Sequence, residues 1–336
     1  MTVSDVPDDS YFGLVADEVL QGLVIPFLGA GVNLCARDDG IPWTPGAGLP
    51  SGRDLADYLA EKRKYPEEES KELVRVSQYV KAVLGSGVLY SDLRAVFTAQ
   101  YDPNEVHRLV ARLPRALRAN GSRQLLTITT NYDDALEAAY EDEGEEYDVV
   151  YYEARPKGRV GKFFHRRSGS TTAELIEVPN EYAEIDPDER PVILKIHGAV
   201  DRVNPARDSF VITEDDYIEY LTRNEMGSLA ALKARMNDSH YLFLGYSLQD
   251  WNLRVILNEI WGDRDLDMAS WAVQKPDPRR SARSVQVEKK LWDDRGEVDL
   301  RFVDLLEYIR LLGAHIPDPN GRPPEPPQSE LTGASR

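Results

Sequence analysis

Four short segments carry side chains suited to chemistry, and each stands directly after an apolar run. Gly29-Ala30-Gly31-Val32-Asn33 follows Leu23 to Leu28, and Asn131-Tyr132-Asp133-Asp134 follows Leu125 to Thr130. His197-Gly198 follows Val192 to Ile196, and Gly245-Tyr246-Ser247-Leu248-Gln249-Asp250 follows Tyr241 to Leu244. The first segment brings backbone close to a bound group, and N–H groups exposed there favour a pyrophosphate. It lacks a third small residue at position 34, which is Leu, so a tight turn explains it equally well. Asn131 and Asp133 could position a water and bind an amide or a developing cation, although Asx turns and caps use the same residue types. His197 has the one side chain whose ordinary titration lies near neutrality, which suits a base or a partner to a ribose hydroxyl; a satisfied structural histidine is the alternative. Asp250 and Arg254 are four apart and could simply pair on a helix.

Apolar runs that stop abruptly in small or polar residues are the pattern of buried parallel strands feeding loops and helices. In an open sheet of this kind ligands sit beyond the carboxyl ends of the strands, so all four segments are expected to converge on one crevice. Two later runs, Ser270 to Val273 and Leu300 to Val303, complete an expected six-stranded sheet. The fold class is therefore α/β: a Rossmann-like, open, mostly parallel six-stranded sheet. Between the first two strands, positions 51–118 read as a mainly helical insertion opened by Ser51 as N-cap, with Leu55, Tyr58 and Leu59 on one face. Positions 141–190 read as a hairpin-like excursion with a strand from Tyr147 to Tyr152. The basic run there, Lys157, Arg159, Lys162, Arg166 and Arg167, reads as a solvated loop. Six prolines in the first eleven positions of 317–336 mark a disordered tail after a domain spanning 1–316.

Acidic residues number 58 against 40 basic ones, a net charge of −18, which disfavours a general nucleic-acid binder. No apolar stretch is long enough to span a bilayer, and the acidic N-terminus is unlike a secretory signal, so a cytoplasmic protein without membrane contact is expected. Cys35 is the single cysteine, which excludes an internal disulfide and a four-cysteine zinc site.

Taken in order, the four segments resemble the sirtuin family, and more closely its bacterial branch lacking the zinc module. Gly29-Ala30-Gly31 with Asn33 resembles the family's Gly-Ala-Gly loop, Thr130-Asn131-Tyr132-Asp133 its Gln-Asn-Ile-Asp motif, and His197-Gly198 its His-Gly. Gly48-Leu49-Pro50-Ser51-Gly52 and Gly245-Tyr246-Ser247-Leu248 with Asp250 and Arg254 resemble the bacterial branch in particular. The resemblance implies NAD as substrate, with no metal. Gly29, Ala30, Gly31, Asn33, Asp133, Gly245, Ser247 and Asp250 would contact the dinucleotide, and Asn131 and His197 would be catalytic. The deacylase features are missing: Gly40-Ile41-Pro42 continues as Trp43-Thr44, and no peptide clamp follows His197-Gly198. Water then becomes the acceptor, and the expected activity is hydrolysis of NAD to nicotinamide and ADP-ribose. Protein deacylation, ADP-ribosyl transfer and non-catalytic NAD or ADP-ribose sensing are the alternatives. In the bacterial branch such an enzyme resembles a toxic effector of antiphage defence. It would be restrained by homo-oligomer assembly or by a partner such as a DNA-translocating ATPase, an Argonaute-type protein or a nucleotide-binding ATPase.

Overall fold

A computed structural model describes residues 6–35, 37, 43–155, 159–246, 270–275, 281–296 and 298–319. The chain opens with helix α1 (Asp9–Leu20), strand β1 (Val24–Leu28) and a 3₁₀ turn over Ala30–Leu34. Four helices follow, α2 (Gly52–Arg63), α3 (Leu73–Leu84), α4 (Ser86–Phe97) and α5 (Glu105–Asn120), before β2 (Leu126–Thr129) and α6 (Ala135–Glu143). Strands β3 (Asp148–Tyr152), β4 (Phe163–Arg166), β5 (Glu174–Ile176) and β6 (Val192–Lys195) precede α7 (Glu214–Arg223) and α8 (Ala230–Asn237). The last elements are β7 (His240–Leu244), β8 (Ser270–Gln274), α9 (Ala282–Gly296), β9 (Val298–Phe302) and α10 (Leu305–Ala314).

The described strands form one sheet in the order β5-β4-β3-β6-β2-β1-β7-β8-β9. All six strands expected from the apolar runs are present and pair in parallel with their neighbours. The sheet nevertheless has nine strands, not six. The excursion over 141–190 extends the sheet: β3 pairs in parallel with β6, and β4 and β5 add antiparallel beyond it. Every residue of β3 is buried, so this strand needs a neighbour on each side, and β4 supplies the outer one. The basic stretch is correspondingly not a solvated loop throughout. Phe163, Phe164 and His165 are buried in β4, while Lys162 pairs with Glu177 and Arg167 with Glu174 and Glu184.

Helices cover both faces. On one, α1, α5, α6 and α10 enclose Phe12, Val19, Leu113, Leu136 and Tyr308; on the other, Tyr220 of α7, Leu232 of α8 and Trp292 of α9 pack on Ile25, Phe27 and Phe243. A third apolar cluster joins the helical insertion to the sheet, with Leu55, Leu59, Val80 and Phe97 meeting Tyr132, Val200 and Phe210. The insertion begins where its sequence says it should. Ser51 Oγ accepts from the Asp54 backbone N–H while the Asp54 carboxylate accepts from the Ser51 N–H at 2.8 Å, a reciprocal cap. The proline-rich segment from residue 320 onward lies outside the described residues.

Candidate active site

The chain builds outward from β1 through β2 to β3, returns to insert β6, and then crosses to β7 on the other side of β1. The strand order thus reverses between β1 and β7, the place where an open α/β sheet leaves a crevice. Register aligns Leu28 with Thr129 and Leu244, and Thr129 with Lys195. The next residues in each chain segment therefore leave the sheet at one level, and the four chemically distinctive segments emerge side by side.

At the end of β1, Gly29 N–H donates to Leu244 O at 3.0 Å and Gly31 N–H to Gly245 O at 2.8 Å. A Cβ on Gly29 would stand less than 3.0 Å from the Tyr246 ring, and one on Gly31 less than 3.0 Å from the Gly245 carbonyl. The two glycines are required first because the β1 and β7 loops pack backbone to backbone. Ala30, Gly31 and Asn33 remain partly exposed on the 3₁₀ turn.

The β2 segment is tied to the same place. Thr129 Oγ1 donates to Leu28 O and accepts from Asn131 N–H, both at 3.0 Å, and Asn131 Nδ2 donates to Gly29 O at 3.3 Å. Asp133 Oδ1 accepts from Ala135 N–H at 3.1 Å and Oδ2 from Asn33 Nδ2 at 3.4 Å, while Asn33 Oδ1 is buried without a hydrogen-bond partner among the described residues. Burial raises the Asp133 carboxyl above the ordinary carboxylate range, against the opposing pull of the Lys195 ammonium. Burial acts the same way on neighbouring Asp134, but its ion pair with Arg202 prevails and lowers it. Adjacent carboxylates are thereby pushed apart.

Lys195, the last residue of β6, is 1% exposed. Its Nζ donates to the backbone carbonyl of Asp133 and, at 2.5 Å, to Glu137 Oε1 in the first turn of α6. Two residues on, His197 is 4% exposed, and burial lowers its imidazole to about 3, so the ring is neutral at physiological pH. It meets Tyr217 and Tyr220 of α7 edge to face, at 5.4 and 5.6 Å, and its buried Nε2 makes no hydrogen bond among the described residues. Gly198 has φ +91°, and a Cβ there would strike the Ser209 carbonyl. That close approach lets residues 209–211 run beside the loop, with Val211 N–H donating to His197 O and Ser209 N–H to Ala199 O, each at 2.9 Å. Val200 N–H donates to Tyr132 O at 3.0 Å, which knits the β6 segment to the β2 segment.

The structure thus brings Gly29, Ala30, Gly31, Asn33, Asn131, Asp133, His197 and Gly245 to one end of the four central strands. Ser247, Asp250 and Arg254, with Gly40-Ile41-Pro42, lie outside the described residues. Among the described residues no group of three or more His, Cys, Asp or Glu is placed to hold a metal ion, and no helix is long and apolar enough to cross a membrane. Lys195 and Glu137 were missed in the strand-end reading. The available signal was a lysine inside the apolar run Val192 to Ile196, which a fully buried strand tolerates only with a partner.

The chain is 24% identical over 232 residues to NAD(+) hydrolase ThsA of Cytobacillus dafuensis, covering 69% of this chain and 37% of that protein. It is 26% identical over 248 residues to NAD(+) hydrolase ThsA of Enterococcus faecium, covering 73% and 41%, and 25% identical over 246 residues to that of Bacillus cereus (strain MSX-D12), covering 72% and 41%. The chain spans about two-fifths of the length of these curated relatives. The model of the SIR2-like domain matches residues 125–296, just over half of the chain and the stretch that holds Asn131, Asp133, Lys195 and His197. With its open parallel sheet and its crevice at the β1/β7 reversal, the chain belongs to the SIR2-like family.

Proposed function

We propose that this chain is an NAD hydrolase that releases nicotinamide and ADP-ribose. The observation that carries the reading is the meeting of a small-residue turn, a buried carboxamide, a buried carboxylate and a neutral buried imidazole in the crevice where the strand order reverses. The names of the relatives support the same substrate and the same reaction.

Nicotinamide bonded to ribose is already a cationic leaving group. The barrier lies in the positive ribosyl centre it leaves behind and in presenting a nucleophile to that centre. Backbone at Gly29, Ala30 and Gly31, with Asn33 and Gly245, is assigned to the dinucleotide, as are Ser247 and Asp250. Asp133 is assigned to the nicotinamide carboxamide. Asn131, anchored through Gly29 O, orients the attacking water; a fixed amide dipole in a water-poor site costs no reorganisation as charge develops. His197 is assigned to a ribose hydroxyl. With its imidazole held down to about 3, it serves as a neutral hydrogen-bond partner and not as a strong base. No metal is assigned to the reaction.

The cellular role we propose is NAD depletion in the cytoplasm of a bacterium as the effector of an antiphage defence system, held back by homo-oligomer assembly or by a separate protein. The test is nicotinamide release from NAD by concentrated purified protein, alone and with co-expressed candidate partners, beside Asn131→Ala. Release with free ADP-ribose that falls by about 100-fold or more in the variant is expected. Turnover unchanged in a folded Asn131→Ala protein sinks the assignment, and binding without turnover under every condition makes the chain a sensor.

A further inference from the structure

Directly beneath the crevice lies a buried charged pair to which the catalytic assignments above give no part. Lys195 and Glu137 are both buried, with Nζ and Oε1 2.5 Å apart, and Glu137 Oε2 has no hydrogen-bond partner among the described residues. An ion pair in such a place is a poor stabiliser. Desolvating both charges costs several kcal/mol each, and apolar residues of similar size usually do as well or better. What distinguishes this pair is the third contact of the ammonium, to the backbone carbonyl of Asp133.

We propose that Lys195 is a positioning residue, whose ammonium, held in place by Glu137, grips the Asp133 carbonyl and so fixes the aim of the Asn131 and Asp133 side chains. The inference rests on the NAD-hydrolase reading. Three of the bonds that hold the segment between β2 and α6 come from different directions. Thr129 Oγ1 takes the Asn131 N–H from below, Ala135 N–H takes the Asp133 carboxylate from the α6 side, and Lys195 takes the carbonyl from β6. The first two bonds come from residues of the segment's own flanks and move with it. Lys195 alone of the three belongs to another strand, and that strand also delivers His197 two residues later. One β6 register therefore sets the distance between the His197 loop and the Asn131–Asp133 loop. Glu137, four residues after Asp133, neutralises the lysine and ties the first turn of α6 into the same clamp.

The experiment compares wild type, K195M and the double variant K195M with E137L, which replaces the pair by apolar side chains and leaves the Asp133 carbonyl without its donor. Thermal unfolding, NAD affinity by calorimetry and steady-state nicotinamide release are measured on each. The double variant is expected to unfold close to wild type and to bind NAD within a few-fold, while kcat falls about 100-fold, the effect of misaiming reacting groups by roughly an ångström. A folded double variant with wild-type kcat overturns the inference and leaves the NAD-hydrolase reading intact. Activity that recovers in step with stability from K195M to the double variant overturns it as well, since the pair would then act through folding alone. A wild-type protein that neither binds nor cleaves NAD overturns both.

Discussion

Two buried histidines, His165 at the antiparallel edge of the sheet and His197 at its centre, differ in their surroundings. His165 Nδ1 shares a 2.8 Å hydrogen bond with the Tyr182 hydroxyl, and its Nε2 lies 3.2 Å from the Asp148 carboxylate, which also faces Arg190. His197 meets two tyrosine rings edge to face, and in both histidines the buried Nε2 has no hydrogen-bond partner among the described residues. Folded proteins leave few buried polar atoms unsatisfied, because each costs roughly 1–3 kcal/mol. At the edge the imidazole stands among a hydroxyl, a carboxylate and a guanidinium, whereas at the centre it stands against aromatic rings. That difference in surroundings sets His165 apart from the histidine proposed to meet a ribose hydroxyl.

The largest expected effect tests that separation directly. His197→Ala should lower kcat/KM for nicotinamide release by about 100-fold or more, the usual range for a group bonded to substrate in the transition state, with a smaller loss in stability. His165→Ala should do the reverse: turnover within a few-fold of wild type, and a loss of about 1–3 kcal/mol in urea unfolding as Asp148 and Tyr182 lose their partner. Equal losses of activity in the two variants would break the comparison.

Glu153, just past β3, is the charged exception at the edge, and it sharpens the contrast through pH. It is fully buried, its Oε1 accepts from Arg155 N–H at 2.9 Å, Arg159 stands 3.9 Å from Oε2, and burial pushes its carboxyl up to about 7. A raised carboxyl pKa means that the folded state holds the proton more tightly than the unfolded chain. The contribution is present below about 4.5 and is lost as pH rises through about 7, by up to about 3 kcal/mol. His197 and His107 work in the opposite sense: burial lowers them to about 3 and about 4, so their contribution is present above 6.5 and is lost as pH falls below it. Between about 4.5 and 6.5 the two windows overlap and oppose one another, so in unfolding measured from pH 4 to 8 Glu153→Gln should steepen the rise of stability over that range and remove the fall from 6.5 to about 7. A pH profile unaltered by Glu153→Gln would show that Glu153 is solvated when it ionises.

The centre was legible in the sequence and the edge only in part, as a strand at Tyr147 to Tyr152 within a hairpin-like excursion, for a physical reason. Central parallel strands are buried on both faces, so Leu23 to Leu28 or Val192 to Ile196 stand out as apolar runs whose ends mark the proposed site. Strand β4 mixes Phe163 and Phe164 with His165 and Arg166, and β5 is three residues long. Their identity as strands comes from pairing, of β4 with β3 and of β5 with β4, which no local pattern encodes. Within the site, Asn131, Asp133 and His197 could be picked out because each ends a run. Lys195 and Glu137 depend on a contact across two elements 58 residues apart, which spacing along the chain does not reveal. The glycines were legible for only part of their purpose. Gly29 and Gly31 read as room for a dinucleotide, while the structure adds a demand that holds without ligand, the packing of the β1 loop on Gly245.

The smallest expected effects separate those two demands on glycine. At Gly31 an added Cβ would run into the Gly245 carbonyl, and both partners are backbone held by the 2.8 Å bond between them. Gly31→Ala should therefore cost about 1–3 kcal/mol of stability, as overpacking does when no flexible side chain can yield. At Gly13, inside α1, a Cβ would meet nothing within 4 Å, and Gly13→Ala should stabilise by about 0.5–1 kcal/mol through helix propensity alone. Chemical unfolding of the pair, with NAD affinity measured on each, shows which constraint governs the crevice. Gly31→Ala that loses stability in the absence of NAD places the constraint in loop packing. Wild-type stability with weakened NAD binding would instead place it in the ligand, and the loops of β1 and β7 would then have slack that the backbone contact between Gly31 and Gly245 argues against.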